Sequence, residues 1–200
     1  SPSHLSRCGR VMPCNAPDGS LRAGYMARVR RVIEACDAAG AVVILSCFYQ
    51  RQDQLLRDEA AVRAAVAAAA GWVKDGGFGN VVLEIANEFP HAGFDHRVIR
   101  EAGGQAGLIR LARSVAPGLL VSASGLGDGL IPREVAEVSD FLLPHFNGTP
   151  VREIPKRLAA MRGYGKPIVC NEDDKTGAEG AAAAEASVAG GASWGLMLVE

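Results

Sequence analysis

Short apolar runs alternate with longer helical segments along this chain, and this alternation limits the folds open to it. The run at 41–49 (AVVILSCFY) is almost continuously β-branched or aromatic, which is typical of a strand buried on both faces. Segment 22–39 instead places its apolar residues on one helical face. Strand–helix alternation of this kind predicts an α/β fold with a parallel sheet and right-handed crossovers. The predicted strands are 41–49, 80–88, 119–125, 140–147, 167–173 and 193–199, and the predicted helices are 22–39, 58–75, 94–115, 132–138, 151–164 and 178–190.

Two parallel architectures compete, the doubly wound sheet and the closed barrel. A doubly wound dinucleotide-binding sheet carries a G-x-G-x-x-G turn after its first strand, and no predicted strand here is followed by one. A barrel instead gathers polar and aromatic residues at the carboxyl ends of its strands. The sequence therefore favours a (β/α)8 barrel. The strand-end residues are Tyr49, Gln50, Asn87, Glu88, Ser124, His145, Asn147, Asn171 and Glu172, and Trp194 lies early in the last run.

Length and composition fit a single domain. The chain has 200 residues, 48% of them hydrophobic, so a sizeable core can form. The formal net charge of -1 argues against a nucleic-acid partner, which would need a basic face. The longest apolar stretch, 60–73, is rich in alanine and interrupted by Arg63, so no membrane span is expected. Oligomeric state stays open.

The five cysteines do not predict a disulfide framework. Cys47 and Cys170 lie within apolar strands and are expected to be buried free thiols, while a pairing of Cys8 with Cys14 stays open. No structural metal is expected, because only His91 and His96 approach zinc-ligand spacing. The first ten residues lack the apolar region of a signal peptide. The compartment therefore stays open, including secretion or a periplasmic location if a preceding segment supplies the signal.

Two carboxylates are the strongest candidates for chemistry. Glu88 and Glu172 each end an apolar strand directly after an asparagine, so a barrel would bring both to its mouth. Two carboxyl groups about 5 Å apart are what double displacement at an anomeric carbon requires. Glu88 is expected to act as acid/base and Glu172 as nucleophile. Supporting substrate-binding roles are expected for Asn87, His145, Trp194, Tyr49, Asn147 and Gln50.

Structural roles compete with these assignments. A glutamate at a strand end is often solvated or caps a helix, His145 could simply pack, and Trp194 could be core. Glu84 lies deeper on the same side as Glu88, where a structural ion pair is expected. Asp173 and Asp174 are expected to cap the next helix or brace a rim loop. His91 and His96 are expected in a surface loop, with His91 near the substrate as an alternative.

The motifs EIANE (84–88) and KPIVCNED (166–173) resemble the paired motifs of clan A retaining glycoside hydrolases, especially the cellulase-like family 5. The resemblance extends from about Asp18 to Trp194 and implies a barrel, retention of configuration and no cofactor. It implies that Glu88 is the acid/base on barrel strand four and that Glu172 is the nucleophile on strand seven. Asn87, His145 and Trp194 match positions beside the acid, on strand six and on strand eight.

The chain departs from this pattern in two respects. Family 5 enzymes often carry a histidine near the end of strand three, where this chain has CFYQRQDQ (47–54). If 41–49 is strand three, the chain holds strands three to eight, and we expect a fragment that lacks the first two strands and the closing helix, with 10–19 as the loop after strand two.

The expected substrate is an oligo- or polysaccharide with β-linked sugars. The alternatives are a catalytically inactive barrel that binds carbohydrate or protein, and a metal-dependent lyase or aldolase, which would need clustered ligands or a Schiff-base lysine at strand ends.

Overall fold

The computed structural model of the chain describes residues 14–197. Helices and strands alternate as the sequence predicts, and the described strands pair in parallel. The strands are β1 (Val43–Phe48), β2 (Val81–Ala86), β3 (Val121–Ser122), β4 (Ile168–Val169) and β5 (Ala192–Ser193). The helices are α1 (Ala23–Ala38), α2 (Glu59–Gly76), α3 (Arg97–Arg100), α4 (Ala102–Val115), α5 (Arg133–Val138), α6 (Ile154–Arg162) and α7 (Gly177–Ala189), with 3-10 turns at Asp53–Leu55 and Val151–Glu153.

The strands follow one another across the sheet in chain order. β1 pairs with β2 and β2 with β3, while β4 pairs with β5. Segment 141–145 joins the two groups through single parallel bridges from Leu143 to Ser124 and from Leu142 to Ile168. This segment is the predicted strand 140–147, and it forms bridges instead of a ladder where Pro144 provides no backbone donor. Six successive parallel neighbours form most of a barrel wall, as predicted.

Local sequence signals explain where the helices begin and end. The Asp58 side chain accepts a hydrogen bond from the backbone N–H of Ala61 (2.8 Å) and caps α2, and Gly77 ends that helix in the left-handed conformation. The predicted helix 94–115 is wrong in its continuity, because Glu101 is extended and separates α3 from α4. Gly104 lies against the backbone of Val98 at this break, where a side chain would not fit.

Two large apolar clusters hold the wall together. The first packs α2 and α4 against β2, with Leu83, Ile85 and Phe89 fully buried. The second packs α6 and α7 around segment 141–145 and β4, with Leu142 and Phe146 at its centre. Both clusters lie between the strands and the helices that cover them. They therefore fix the strand ends relative to one another.

Cys47 and Cys170 carry free thiols as expected, but only Cys170 is buried, and burial raises the pKa of its thiol to about 11. The prediction that strand 41–49 is buried on both faces is wrong, because β1 pairs on one side only within residues 14–197 and leaves Val43, Cys47 and their neighbours partly exposed. Cys8, residues 10–13 of the predicted loop 10–19, and residues 198–199 of the predicted strand 193–199 lie outside the described residues. Among helices in 14–197, none is both long and apolar enough to cross a membrane.

Candidate active site

Glu88 follows β2 in an unusual backbone conformation. Its φ is 52°, in the left-handed region that non-glycine residues rarely adopt. Its backbone N–H donates to Ser124 Oγ (2.8 Å), which holds the residue against the end of the neighbouring strand β3. Left-handed backbone at a non-glycine residue costs about 1–3 kcal/mol and is concentrated at functional sites. The backbone thus marks Glu88 independently of its chemistry.

Glu172 lies three residues after β4, at the end of the predicted strand 167–173. Its backbone forms a parallel bridge with His145, and its carbonyl accepts a hydrogen bond from the N–H of Phe146 (2.9 Å). The Asn147 side-chain amide donates to Glu172 Oε1 (2.8 Å). Neighbouring strand ends therefore fix both the backbone and the side chain of Glu172.

His145 lies between the two glutamates. Its Nδ1 is 3.5 Å from Glu88 Oε1 and 3.6 Å from Glu172 Oε2, and the three groups have ligand-type atoms all within 4.8 Å of one another. The imidazole is fully buried, whereas the glutamate side chains are 17% and 18% exposed. This closest approach of the carboxylate oxygens is compatible with the spacing of about 5–5.5 Å between carboxyl groups that double displacement at an anomeric carbon requires.

The electrostatics of Glu88 depend on these neighbours. The hydrogen bond with His145 lowers the pKa of the Glu88 carboxyl, and burial opposes this effect without cancelling it. The amide of Gln50 adds a second hydrogen bond that lowers the pKa, from Nε2 to Glu88 Oε2 (2.8 Å). A general acid needs the opposite shift, so this arrangement favours the ionised form of Glu88 before substrate binds.

The same three side chains form a donor set for a divalent cation, which the sequence analysis did not expect at the strand ends. A metal-bound imidazole normally donates its other ring N–H to an acceptor. His145 Nε2 is buried and has no hydrogen-bond partner among residues 14–197. A proton on Nδ1, shared with the two carboxylates, satisfies the ring better than a metal on Nδ1 with an orphaned N–H. The site therefore fits proton transfer better than metal binding.

The other predicted site residues lie at varying distances from this centre. Asn87 is buried directly before Glu88, and Tyr49 is about half exposed after β1, with a relative exposure of 52%. Trp194 is partly buried against the second apolar cluster, and its Nε1 donates to Asp173 Oδ2 (2.9 Å). Of the predicted residues, the structure thus joins Gln50, His145 and Asn147 to the two glutamates by direct contacts.

The expectation of an ion pair at Glu84 is wrong, whereas His91 and His96 lie in the loop before α3 where they were expected. Glu84 has no ion pair within 14–197 and instead accepts hydrogen bonds from Ser46 and Ser124. The sequence did not indicate that His96 Nδ1 contacts the buried Asp53 carboxylate, at 2.9 Å. His91 is partly exposed, and its Nδ1 accepts from the N–H of Gly93.

Of the two roles expected for Asp173, the structure shows the bracing of a rim loop and not the cap on α7. Its carboxylate binds both Trp194 Nε1 and the buried Lys175 ammonium, which lies 2.8 Å from Asp173 Oδ1. Ser124 was recognised only as polar. Its position at the end of the strand next to that of Glu88 could have indicated a contact between the two residues.

Comparisons with known proteins support the fold. No protein-family model matches the sequence, and no curated protein matches it significantly. Among solved structures, the endoglucanase Cel5A from the hyperthermophilic Thermotoga maritima matches with a TM-score of 0.65 at 13% identity, covering 90% of this chain and 72% of its own. GH5_18 from Streptomyces cattleya, in complex with GlcNAc, matches with a TM-score of 0.64 at 14% identity. The endo-β-1,4-mannanase from Thermotoga petrophila matches with a TM-score of 0.62 at 13% identity.

The matches leave large parts of two of the solved structures uncovered. The Streptomyces and Thermotoga petrophila matches cover 92% and 84% of this chain but only 58% and 51% of their own chains. The described strands correspond to an incomplete barrel with about strands three to eight. At this level of identity the likeness concerns architecture. The chain has the (β/α)8-barrel fold seen in family 5 glycoside hydrolases.

Proposed function

We propose that the protein is a retaining glycoside hydrolase that cleaves β-linked oligo- or polysaccharides without a metal or cofactor. The observation that carries this proposal is the approach of Glu88, His145 and Glu172 within 4.8 Å at neighbouring strand ends. The barrel fold shared with an endoglucanase and an endo-β-1,4-mannanase supports the substrate class.

The reaction proceeds in two displacements. In the first, the Glu172 carboxylate attacks the anomeric carbon while the Glu88 carboxyl donates its proton to the departing glycosidic oxygen. This forms a glycosyl ester on Glu172 and releases the first product. In the second, the Glu88 carboxylate removes a proton from water, which attacks the same carbon and frees Glu172. Two inversions give net retention.

His145 reconciles this mechanism with the lowered pKa of Glu88. Its Nδ1 lies almost equally far from the two carboxylates, at 3.5 and 3.6 Å. When the Nδ1–H forms its hydrogen bond to Glu172 instead and stays on the imidazole, Glu88 loses the hydrogen bond that favours its ionised form. Glu88 can then hold the proton that the leaving group needs. Asn147 fixes the other oxygen of Glu172, and Asn87, Trp194 and Tyr49 supply sugar contacts.

One observation favours a second candidate, an inactive barrel that binds carbohydrate or protein. The pKa of Glu88 is lowered in the unliganded protein, which is what a carboxylate with a binding or structural role would show. Such a protein would bind sugars with these side chains but would hydrolyse none.

Kinetics with aryl β-glycosides of glucose, mannose, xylose and galactose test the proposal. Glu172→Ala should abolish turnover, and added azide should then give the α-glycosyl azide through direct displacement. Glu88→Ala should keep slow cleavage of activated aryl glycosides, and azide should give the β-glycosyl azide from the covalent intermediate. Glu179→Gln, at an exposed position on α7, is the matched control and should retain wild-type rates. No hydrolysis of any of these glycosides by the wild-type chain would refute the proposal.

A further inference from the structure

A buried carboxyl group lies behind the candidate catalytic pair. Glu84 is 1% exposed and belongs to β2, four residues before Glu88. It accepts a hydrogen bond from Ser124 Oγ to Oε1 (2.6 Å) and another from Ser46 Oγ to Oε2. Burial raises the pKa of the Glu84 carboxyl, against the effect of both hydroxyls. The two displacements described above assign it no step.

Ser124 connects this group to Glu88. The Ser124 hydroxyl has one proton, which it donates to Glu84 Oε1, and its oxygen accepts the backbone N–H of Glu88 (2.8 Å). With the proton directed at Glu84, the lone pairs of the hydroxyl are free to face the Glu88 N–H. Without an acceptor at Glu84, the hydroxyl can rotate and direct its proton elsewhere.

The connected backbone group is the strained one. Glu88 has a φ of 52°, and such conformations persist only where the surroundings fix them. The hydrogen bond from Glu88 N–H to Ser124 Oγ joins this strained residue to the next strand, and the N–H of Phe89 donates to the Ser124 carbonyl beside it (3.1 Å). A shift here would move the carboxylate that faces His145.

We propose that Glu84 is a positioning residue: by orienting the Ser124 hydroxyl, it holds the backbone of Glu88 in the conformation that aims its carboxyl group at the substrate. The inference rests on the proposed function. The role requires a hydrogen-bond acceptor at position 84, and it does not require a negative charge.

The structure offers a matched control. Ser46 and Ser124 each donate one hydroxyl to Glu84, but only Ser124 also accepts the Glu88 N–H. Ser46→Ala and Ser124→Ala therefore remove the same group and weaken the same carboxyl, while only Ser124→Ala breaks the connection to Glu88. A purely structural role for Glu84 would make the two variants alike.

The experiment measures kcat and KM on the aryl glycoside that the wild-type protein cleaves, and amide hydrogen exchange at Glu88. Glu84→Ala and Ser124→Ala should each lower kcat about 10- to 100-fold with little change in KM, as expected for a displaced reacting group. Both should also lose protection of the Glu88 amide. Ser124→Thr and Glu84→Gln, which keep the needed oxygen atoms, should recover most of both losses. Combining Glu84→Ala with Ser124→Ala should add little to either single loss.

The outcomes separate the two proposals. If Ser46→Ala lowers kcat and Glu88 protection as much as Ser124→Ala does, the positioning role is overturned. Ser124→Ala, which removes only one atom, keeps the test available if Glu84→Ala fails to fold. If the wild-type protein cleaves no glycoside, the hydrolase proposal fails, and exchange at Glu88 still decides whether Glu84 and Ser124 fix its backbone.

Discussion

Glu84→Gln should be more stable than the wild-type protein, and the difference in the free energy of unfolding should grow as pH rises. This is expected although the wild-type carboxyl makes two hydrogen bonds. Glu84 is 1% exposed and no cation pairs with it within residues 14–197. An isolated buried carboxylate is costly, so the folded protein retains the proton and the pKa is raised. Glutamine keeps the shape of the protonated carboxyl. Its oxygen can accept from Ser124, and its amide can donate to Ser46 Oγ as the carboxyl O–H does, whereas the ionised carboxylate accepts from both serines.

The magnitude follows from proton linkage. Above about pH 4.3 the unfolded chain loses the Glu84 proton while the folded protein keeps it. The folded state then binds more protons than the unfolded state, so the free energy of unfolding falls as pH rises. One proton corresponds to a slope of about 1.4 kcal/mol per pH unit, which ends once the folded carboxyl ionises. The stability difference in favour of Glu84→Gln should grow with that slope.

Urea denaturation at a series of pH values from about 4 to about 8 measures this difference, because the linear extrapolation gives the free energy of unfolding at each pH. Glu179→Gln serves as the baseline for removing a glutamate from an exposed helix position. A Glu84→Gln difference that stays constant across this range would contradict the reasoning, as would one that favours the wild type increasingly with pH. Either result would mean that Glu84 has a counter-charge or is ionised at little cost.

Further predictions concern the site and the backbone. Asn147→Ala should lower kcat/KM about 10- to 150-fold, because it removes an amide that bonds the Glu172 carboxylate; an unchanged value would show that the contact is dispensable. His145→Phe should raise the pKa of Glu88 and move the basic limb of the kcat/KM profile to higher pH, since Glu88 reacts protonated; a shift to lower pH would contradict the assigned cause. Dialysis against EDTA should leave activity unchanged, whereas loss of activity restored by zinc would favour the cation alternative. Arg51→Gly should raise the free energy of unfolding in urea by about 1 kcal/mol, because Arg51 has a φ of 61°; a loss of stability would show that the arginine side chain matters more than its backbone.

The sequence was sufficient for features that depend on period and order. The alternation of apolar runs predicted six parallel neighbours, and the two Asn-Glu pairs predicted that Glu88 and Glu172 would meet. Both follow from general properties of parallel sheets, in which carboxyl ends share one edge. The segment 141–145 was also placed correctly, although its pairing is reduced to bridges near Pro144.

Features that depend on side-chain geometry could not be predicted. Nothing in EIANE indicates that Glu88 adopts a left-handed backbone, because that conformation depends on an acceptor from another strand, Ser124. Glu84 was assigned an ion pair because burial of a carboxyl usually requires one, yet two serine hydroxyls meet it instead. The placement of His145 between both glutamates likewise depends on how three strand ends converge.

A covalent label on the nucleophile tests the central claim most directly. A 2-deoxy-2-fluoro aryl β-glycoside slows the second displacement and accumulates the glycosyl ester, which mass spectrometry can locate. The account predicts one added fluorosugar on Glu172, within the tryptic peptide 163–175. A label on Glu88 in peptide 75–97, or turnover of the fluorosugar substrate with no labelled protein at any time, would contradict the account.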